Sequence, residues 1–348
     1  MKDNTDPPRT TGALSMKKID LHVHSRYSVG SQNSVIKSLG SQESYVDPEE
    51  IYELALRRGM DYVTITDHDS IEGCLILKEA HPDRVIMGVE STVFFPEDDT
   101  NIHLLLYGLD ERQFENVERL RHNIYELREY LQGTDIAHSV AHATYRLGRN
   151  FSLEHIEKLI LLFDNFEARN GNRTDRTNAL FEEVLRNLTP ATIYNLSIKH
   201  KINPYSSASW QKGLTAGTDD HSGLFVGMTH TLISTTSLDE AVPAIRRKKT
   251  EPAGTCRNHK AFAFEIFNGV YEEYMARGGD PRGMISQLAA HVLKEKPFSL
   301  TGKLKLRHMR KSKKVIYRML ANLVKESDKK YDNADDKFDA MWTHITAL

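Results

Sequence analysis

Cysteine is scarce: Cys74 and Cys256 are the two in 348 residues. That excludes a disulfide framework and leaves no set of thiols for a cysteine-based zinc knot. Long apolar runs are missing as well. No stretch approaches the roughly 20 residues that span a bilayer. Residues 1–15 are polar, with Pro7, Pro8 and several threonines where a signal peptide would carry its apolar stretch, and they read as a disordered tail. A surplus of one charge is also absent: 46 Lys and Arg stand against 48 Asp and Glu, a formal net charge of -2. Neither bulk nucleic-acid binding nor an acidic-tail protein fits that balance. The expectation is a reduced, cytoplasmic protein with enough apolar residues, 39%, for one large core and an appendage. What is plentiful is histidine, at 16 copies, so the positions of these residues carry the functional argument.

Short apolar runs at 18–24, 62–67, 85–90, 102–107, 136–142, 165–170 and 214–219 alternate with helical patterns, which indicates a parallel α/β architecture. In the segment 47–58, Asp47 can cap, Pro48 fits the first helical position, Ile51, Leu54 and Ala55 form one face, and Gly59 ends the helix. Phe114, Val117, Leu120, Ile124, Leu127 and Leu131 predict one helix over 113–132. Ser152 and Thr189-Pro190 begin two more, and Ser237 with Glu240 reads as a capping box. Seven strands, mostly helix-linked, fit a closed or nearly closed β/α barrel, although an open doubly wound sheet shares the pattern. A Ser-rich insertion occupies 28–46. Past about 258 the strands cease: 261–277, 284–293 and 314–325 read as helices, 303–318 is strongly basic and 326–339 acid-rich. The expected division is a tail at 1–15, a barrel at 16–258 and a helical extension at 259–348.

Polar residues fall where the strands end. His22 and His24 alternate onto one face of the first. His68 follows Asp67 at the end of the second, Glu90 closes the third, His142 the fifth, and Asp219 and His221 the seventh. His103 comes early in the fourth run and fits less simply. Side chains at the C-terminal ends of barrel strands meet in one cup. Imidazole suits zinc, manganese and iron, and carboxylate can bridge two cations; without metal, so many buried ionisable groups would be costly to desolvate. A single His-x-His is weak, but six features in register are not. His138 sits too early in its strand and reads as a packing or supporting group. His81, His122, His155, His200, His230, His259, His291, His308 and His344 read as exposed or structural.

The runs Asp20-Leu21-His22-Val23-His24-Ser25, Thr64-Ile65-Thr66-Asp67-His68-Asp69, Gly88-Val89-Glu90, Ala141-His142 and Ala216-Gly217-Thr218-Asp219-Asp220-His221-Ser222 resemble, in order, the successive motifs of PHP (polymerase and histidinol phosphatase) domains. The resemblance implies a distorted seven-stranded, TIM-like β/α barrel with a metal cup. By it, His22, His24, Glu90 and Asp219 hold one ion. Glu90 bridges to a second, completed by His103 and His142. His68 and His221 help to hold a third, with Asp67 a ligand there or orienting His68. The first motif departs from the family at Val29, where an acidic residue is common, so two ions are expected and a third depends on the insertion. The segment Phe166-Glu167 to Asn170-Gly171 and the helical extension place the resemblance in a subgroup of uncharacterised metal-dependent phosphoesterases.

The implied activity is hydrolysis of a phosphomonoester or phosphodiester by a hydroxide activated on two or three divalent ions (Mn, Zn or Fe), with Asp67 or His221 assisting proton transfer. The substrate would be a small phosphorylated molecule or a nucleotide or nucleic-acid end. Arg26, Arg169 and Arg173 are candidate phosphate binders, because guanidinium matches phosphate oxygens bidentately, and Asn170 is a further substrate-binding candidate. The plain alternative for each arginine is a surface ion pair, favoured for Arg173. Glu167 and Asn170 suit substrate contact, support of the ligands or barrel structure about equally. Two other functions stay open: an amide or ester hydrolase on the same ions, and a metal-stabilised binding module whose basic run at 303–318 touches nucleic acid or an anionic surface, although a solvated helix face balanced by the acidic segment after it is the favoured plain reading of that run.

Overall fold

The computed structural model of the protein describes residues 15–29, 44–145 and 150–256. The tail at 1–14, most of the Ser-rich insertion, the predicted helices past 258 and the basic run at 303–318 lie outside them. The described residues form a mixed α/β fold of two sheets. Strands β2 (Gly88–Phe94), β3 (Asn101–Tyr107), β4 (Ala137–Val140), β5 (Asn165–Asn170) and β6 (Gly213–Gly217) make one sheet in that order. Strands β1 (Ser15–Ile19), β7 (Thr229–Thr235) and β8 (Thr250–Gly254) make the other, ordered β1-β7-β8 and antiparallel throughout.

No closed barrel forms among the described residues, which corrects the seven-stranded expectation. Of the seven predicted runs, that at 62–67 is no ladder strand and that at 18–24 leaves the ladder after Ile19. The segments at 20–24 and 62–68 are extended but pair with their neighbours in isolated bridges rather than ladders, Val23 with Asp220, Val63 with Val85 and His68 with Glu90. The sheet is also not all parallel. β3 runs antiparallel to both β2 and β4, while β4, β5 and β6 are parallel. The cause at β2–β3 is length: the short connection 95–100 makes a hairpin, whereas a parallel crossover needs about a dozen residues or more.

Helix α1 (Pro48–Arg57) starts as its sequence predicts, with the Asp47 carboxylate accepting from Glu49 N and Pro48 in the first turn. Helix α2 (Glu72–Ala80) was not anticipated. The single helix expected over 113–132 is two, α3 (Glu111–Leu120) and α4 (Ile124–Gln132). The break is tied down: Arg121 O accepts from Phe94 N at 2.9 Å, its guanidinium donates to Thr92 O at 3.1 Å, and the Asn123 side chain caps the next helix. Helices α5 (Leu153–Leu162), α6 (Asp175–Arg186) and α7 (Pro190–His200) follow. Before α8 (Ala241–Arg246), the predicted capping box does not form; Glu240 pairs with Arg247 instead.

Helices α3 to α7 cover one face of the five-stranded sheet, with Leu104, Leu106, Val140 and Phe166 of the sheet in that core. Alternation along β3 sends Leu105 and Tyr107 to the opposite, inner face, where they pack with Ile19, Leu21 and Ile233. The two sheets meet through side chains as well as bridges. Thr231 Oγ1 accepts from Ala216 N and donates to Ala216 O, both at 2.8 Å, so a β7 hydroxyl acts as hydrogen-bonding partner to β6. His138 lies buried in β4 against Phe163 and Tyr205, and its Nε2 accepts from Asp164 N at 3.2 Å; it is a packing group. None of the described helices is long and apolar enough to cross a membrane.

Thr231→Val removes both partners of Ala216 while keeping volume. It should destabilise the fold by roughly 2–4 kcal/mol, since each buried backbone group left unpaired costs about 1–3 kcal/mol; Thr231→Ser should recover most of it in denaturant unfolding. Burial, with Lys212, Arg246 and Lys248 adding to it against the pull of Asp164, pushes His138 from 6.5 down to about 4. The unfolded chain therefore binds more protons between those values, and stability should fall as pH drops from 6.5 through 4. His138→Gln, which keeps an acceptor for Asp164 N, should flatten that slope in unfolding measured at several pH values; an equal slope would refute the assignment.

Candidate metal centre

Glu90 organises the centre. Its carboxylate is fully buried and touches five imidazoles: Oε1 lies 2.8 Å from His103 Nδ1 and 3.0 Å from His142 Nε2, while Oε2 lies 3.1, 3.2 and 3.0 Å from His22 Nε2, His24 Nε2 and His68 Nδ1. Asp219 Oδ1 sits 3.6 Å from Nε2 of both His22 and His24. His221 stacks on His24 with ring centroids 4.1 Å apart. Four groups have ligand atoms mutually within 4.8 Å: His22, His24 and Asp219; His22, Glu90 and His142; His68, Glu90 and His103; His24, His68 and His221. Eight of the nine residues named as metal ligands from the sequence thus come together.

The ninth, Asp67, does not. Successive side chains of an extended segment point to opposite sides, so His68 enters the cluster and Asp67 leaves it. Both carboxylate oxygens of Asp67 are engaged by Ser25, whose N and Oγ donate at 2.6 Å each. The antiparallel course of β3 accounts for His103. The start of an antiparallel strand lies beside the ends of its neighbours, and His103 pairs with Thr92 two residues beyond Glu90.

The donor set fits divalent cations. Burial opposes charge on Glu90, but His22, His103 and His68 outweigh it and hold the carboxyl well below its usual range. Asp219 is held low in the same way, chiefly by His22. Burial keeps His68 well below an ordinary imidazole, and burial together with His24 brings His221 down to about 3. These two are therefore neutral, as ligation requires. At His22 and His24 burial is outweighed by the carboxylates, which raise His24 to about 9 and His22 well above 6.5. A carboxylate that draws protons onto its neighbours is a place where positive charge is wanted. His103 Nε2 is buried with no hydrogen-bond partner, a cost that a rearranged, metal-bound ring would relieve.

Backbone strain accompanies these ligands. His142 and Asp219 adopt φ of 26° and 52°, a region that non-glycine residues rarely enter. Asp219 is held there by hydrogen bonds from Asp219 N to His22 O at 2.7 Å and from Asn172 Nδ2 to Asp219 O at 2.6 Å. Supporting residues that the sequence reading missed include Asp20, which accepts from Thr218 N, Thr218 Oγ1, Gly227 N and His22 N. Ser28 lies 3.2 Å from His24 Nδ1 and accepts from His68 N. Asp20 was detectable: it shares the alternating face of His22 and His24.

The arginines divide. Arg26 pairs with Asp47 at 3.1 Å, and Arg169 donates to Gly254 O and faces Glu182 at 3.5 Å. Arg173, expected as the surface ion pair, lies 3.9 Å over the Tyr145 ring, which in turn packs edge-on against His142, and its buried Nε has no partner. Asn170 donates to Glu167 Oε2 and to Asp219 Oδ2, a supporting place behind the ligands.

Gly217 lets β6 pass against the first ligand segment: a Cβ there would lie 2.3 Å from His22 Cβ and 2.5 Å from His22 N. Gly217→Ala should displace His22 and lower bound metal, measured by elemental analysis, more than it lowers the unfolding midpoint of metal-free protein. Full metal content in that variant would contradict the close approach.

Residues 20–186 match the family model of the PHP domain. No curated protein matches the chain. Among solved structures, the chain is similar to a two-domain protein from Bacteroides vulgatus containing a predicted PHP-like metal-dependent phosphoesterase (13% identity, TM-score 0.46, covering 74% of this chain and 71% of that one). It is also similar to PsfC from Pseudomonas syringae (13%, TM-score 0.45, covering 74% and 98%) and to an amidohydrolase from Chromobacterium violaceum solved with sulfate (17%, TM-score 0.39, covering 60% and 89%). At these TM-scores the three structures assign no residue roles. The segment that matches the PHP domain, 20–186, holds six of the eight clustered residues: His22, His24, His68, Glu90, His103 and His142.

Proposed function

We propose that the protein is a metal-dependent hydrolase acting on phosphoesters, either a small phosphorylated molecule or the end of a nucleotide or nucleic acid. The observation that carries the reading is Glu90, each oxygen of which faces a different set of imidazoles. That is the arrangement a carboxylate needs to bridge two cations. His22, His24 and Asp219 would hold one ion on the Oε2 side, and His103 and His142 a second on the Oε1 side. The third group, His24, His68 and His221, has no carboxylate, so it would favour zinc or iron over a harder ion. Bound divalent ions supply positive charge for developing charge on phosphoryl oxygens and make a water more acidic.

The chain's own residues supply position and selectivity. Burial of the ligands excludes bulk water from the floor. Arg173, held on the Tyr145 ring that packs against His142 and without a carboxylate partner among its contacts, offers donors to an anion. Asp67, bound to Ser25, is not placed for proton transfer, and the low-lying His221 suits a ligand rather than an acid. The phosphoester reading therefore rests on Arg173 beside the cup; an amide or ester substrate would make no use of it.

With manganese or zinc added, aryl phosphates should be hydrolysed and matched aryl esters should not; turnover of the esters alone would overturn the reading. His22→Ala and Asp219→Ala should abolish turnover and lower metal content. Arg173→Met should reduce kcat/KM for the phosphate by roughly 10- to 100-fold, the worth of a hydrogen bond to a charged group, with metal content unchanged.

A further inference from the structure

Behind the ligands lies a second carboxylate that the metal groups do not include. Glu167, in β5, is 2% exposed. Its Oε1 lies 2.9 Å from His22 Nδ1, and its Oε2 accepts from His142 N at 2.8 Å and from Asn170 Nδ2 at 2.9 Å. Asn170 Nδ2 also reaches Asp219 Oδ2 at 3.2 Å. Asn170 is itself fixed at both ends of its peptide by Asn178, which accepts from Asn170 N and donates to Asn170 O. One side chain of β5 is thus joined to ligands delivered by three other segments.

We propose that Glu167 is the positioning residue of the centre, which sets the tautomer of His22 so that its Nε2 lone pair faces the cup and fixes the strained backbone of His142. This rests on the metal-centre reading above. The argument is a count of donors and acceptors. Both His142 N and Asn170 Nδ2 can only donate, so Oε2 must accept. Oε1 is then the one oxygen left for His22 Nδ1. As a carboxylate it can only accept, which keeps a ring proton on Nδ1 and makes Nε2, 3.1 Å from Glu90 Oε2, the nitrogen that ligates when a cation takes the place of its proton. The nitrogen opposite the hydrogen-bonded one is the nitrogen that binds metal.

Glutamine at this position keeps the shape and reverses the outcome. Its single oxygen must still serve His142 N and Asn170, so its NH2 group faces His22 Nδ1 and donates to it. The ring proton then moves to Nε2 and blocks ligation. A residue that only fills space would behave otherwise: Gln would be tolerated and Ala would not.

The test compares the full-length parent, Glu167→Gln and Glu167→Ala for Zn(II) affinity by chelator competition and for the absorption spectrum with Co(II). Glu167→Gln should bind zinc ~10- to 100-fold more weakly, with an altered Co(II) spectrum. It should be at least as impaired as Glu167→Ala, while its metal-free unfolding midpoint stays nearer the parent's. Parent-like affinity and spectrum in Glu167→Gln, or a defect confined to Glu167→Ala, would overturn the proposal while leaving the metal centre standing. A parent that binds neither ion would overturn both. Should Glu167→Gln not fold, Asn170→Ala, which removes the link to Asp219 without touching the His22 tautomer, should weaken zinc binding several-fold; unchanged affinity would overturn the role of this hub.

Discussion

A fully buried carboxylate among five imidazoles is the constraint around which this fold is arranged. Removing such a charge from water costs several kcal/mol even after relaxation. Glu90 is compensated only if positive charge lies between it and the rings, either as protons or as cations. Without a cation, the carboxylates raise His22 and His24 toward the protonated form, while burial holds His68 and His221 low. Cations would replace those protons, so metal affinity and acidity are one equilibrium at this site. Folding the chain around an unfilled cluster is therefore a choice between unsatisfied imidazoles and like charges in contact.

Backbone direction decides which side chains can join that cluster. His142 and Asp219 follow directly on the C-terminal ends of β4 and β6, and Glu90 sits in the first half of β2. β3 contributes from its beginning because it runs the other way. The hairpin at 95–100 is therefore functional: reversing β3 is what brings His103 to Glu90. Alternation then sorts neighbours, admitting His68 and excluding Asp67, whose carboxylate is used to hold Ser25 and the turn after His24. Of the six non-glycine residues at positive φ among the described residues, two, His142 and Asp219, are ligands, and there strain is tolerated because the surrounding hydrogen bonds over-determine it.

Much of the centre was legible in the sequence, because ligand identity and strand-end position are both written there: His22, His24, Glu90, His142 and Asp219 needed only period-two alternation and a common rim. β5 at 165–170 and the start of α1 were equally plain. The sheet connectivity was not. The segments at 20–24 and 62–67 have strand-like composition, but a hydroxyl replaces a ladder partner: Val23 N donates to Thr66 Oγ1 at 3.1 Å, so a side chain takes a place that a strand would occupy. β7 was overlooked for the converse reason. Its buried face is Thr229, Thr231, Ile233 and Thr235, which carries almost no apolar signal, since the threonines are buried by hydrogen bonding rather than by hydrophobicity. The ranking of the arginines was also invisible, because Asp47 and Glu182 capture Arg26 and Arg169 only through tertiary contacts.

Charge is layered from floor to rim in a way that gives the site direction. Glu167 and Asp20 lie behind the ligands, and Asp20 is itself pushed to about 6 by burial against the opposing pull of Thr218 and Gly227. Glu90 and Asp219 lie among the imidazoles, and the Arg173 guanidinium lies over the Tyr145 ring, which packs edge-on against His142. An anion approaching the acidic floor unaided would be repelled. Cations in the cup reverse that field locally, and the guanidinium extends the attraction outward. For the phosphoester reading proposed above, acidic support behind, cations between and a guanidinium outside would make occupancy of the cup the condition for binding an anionic ester.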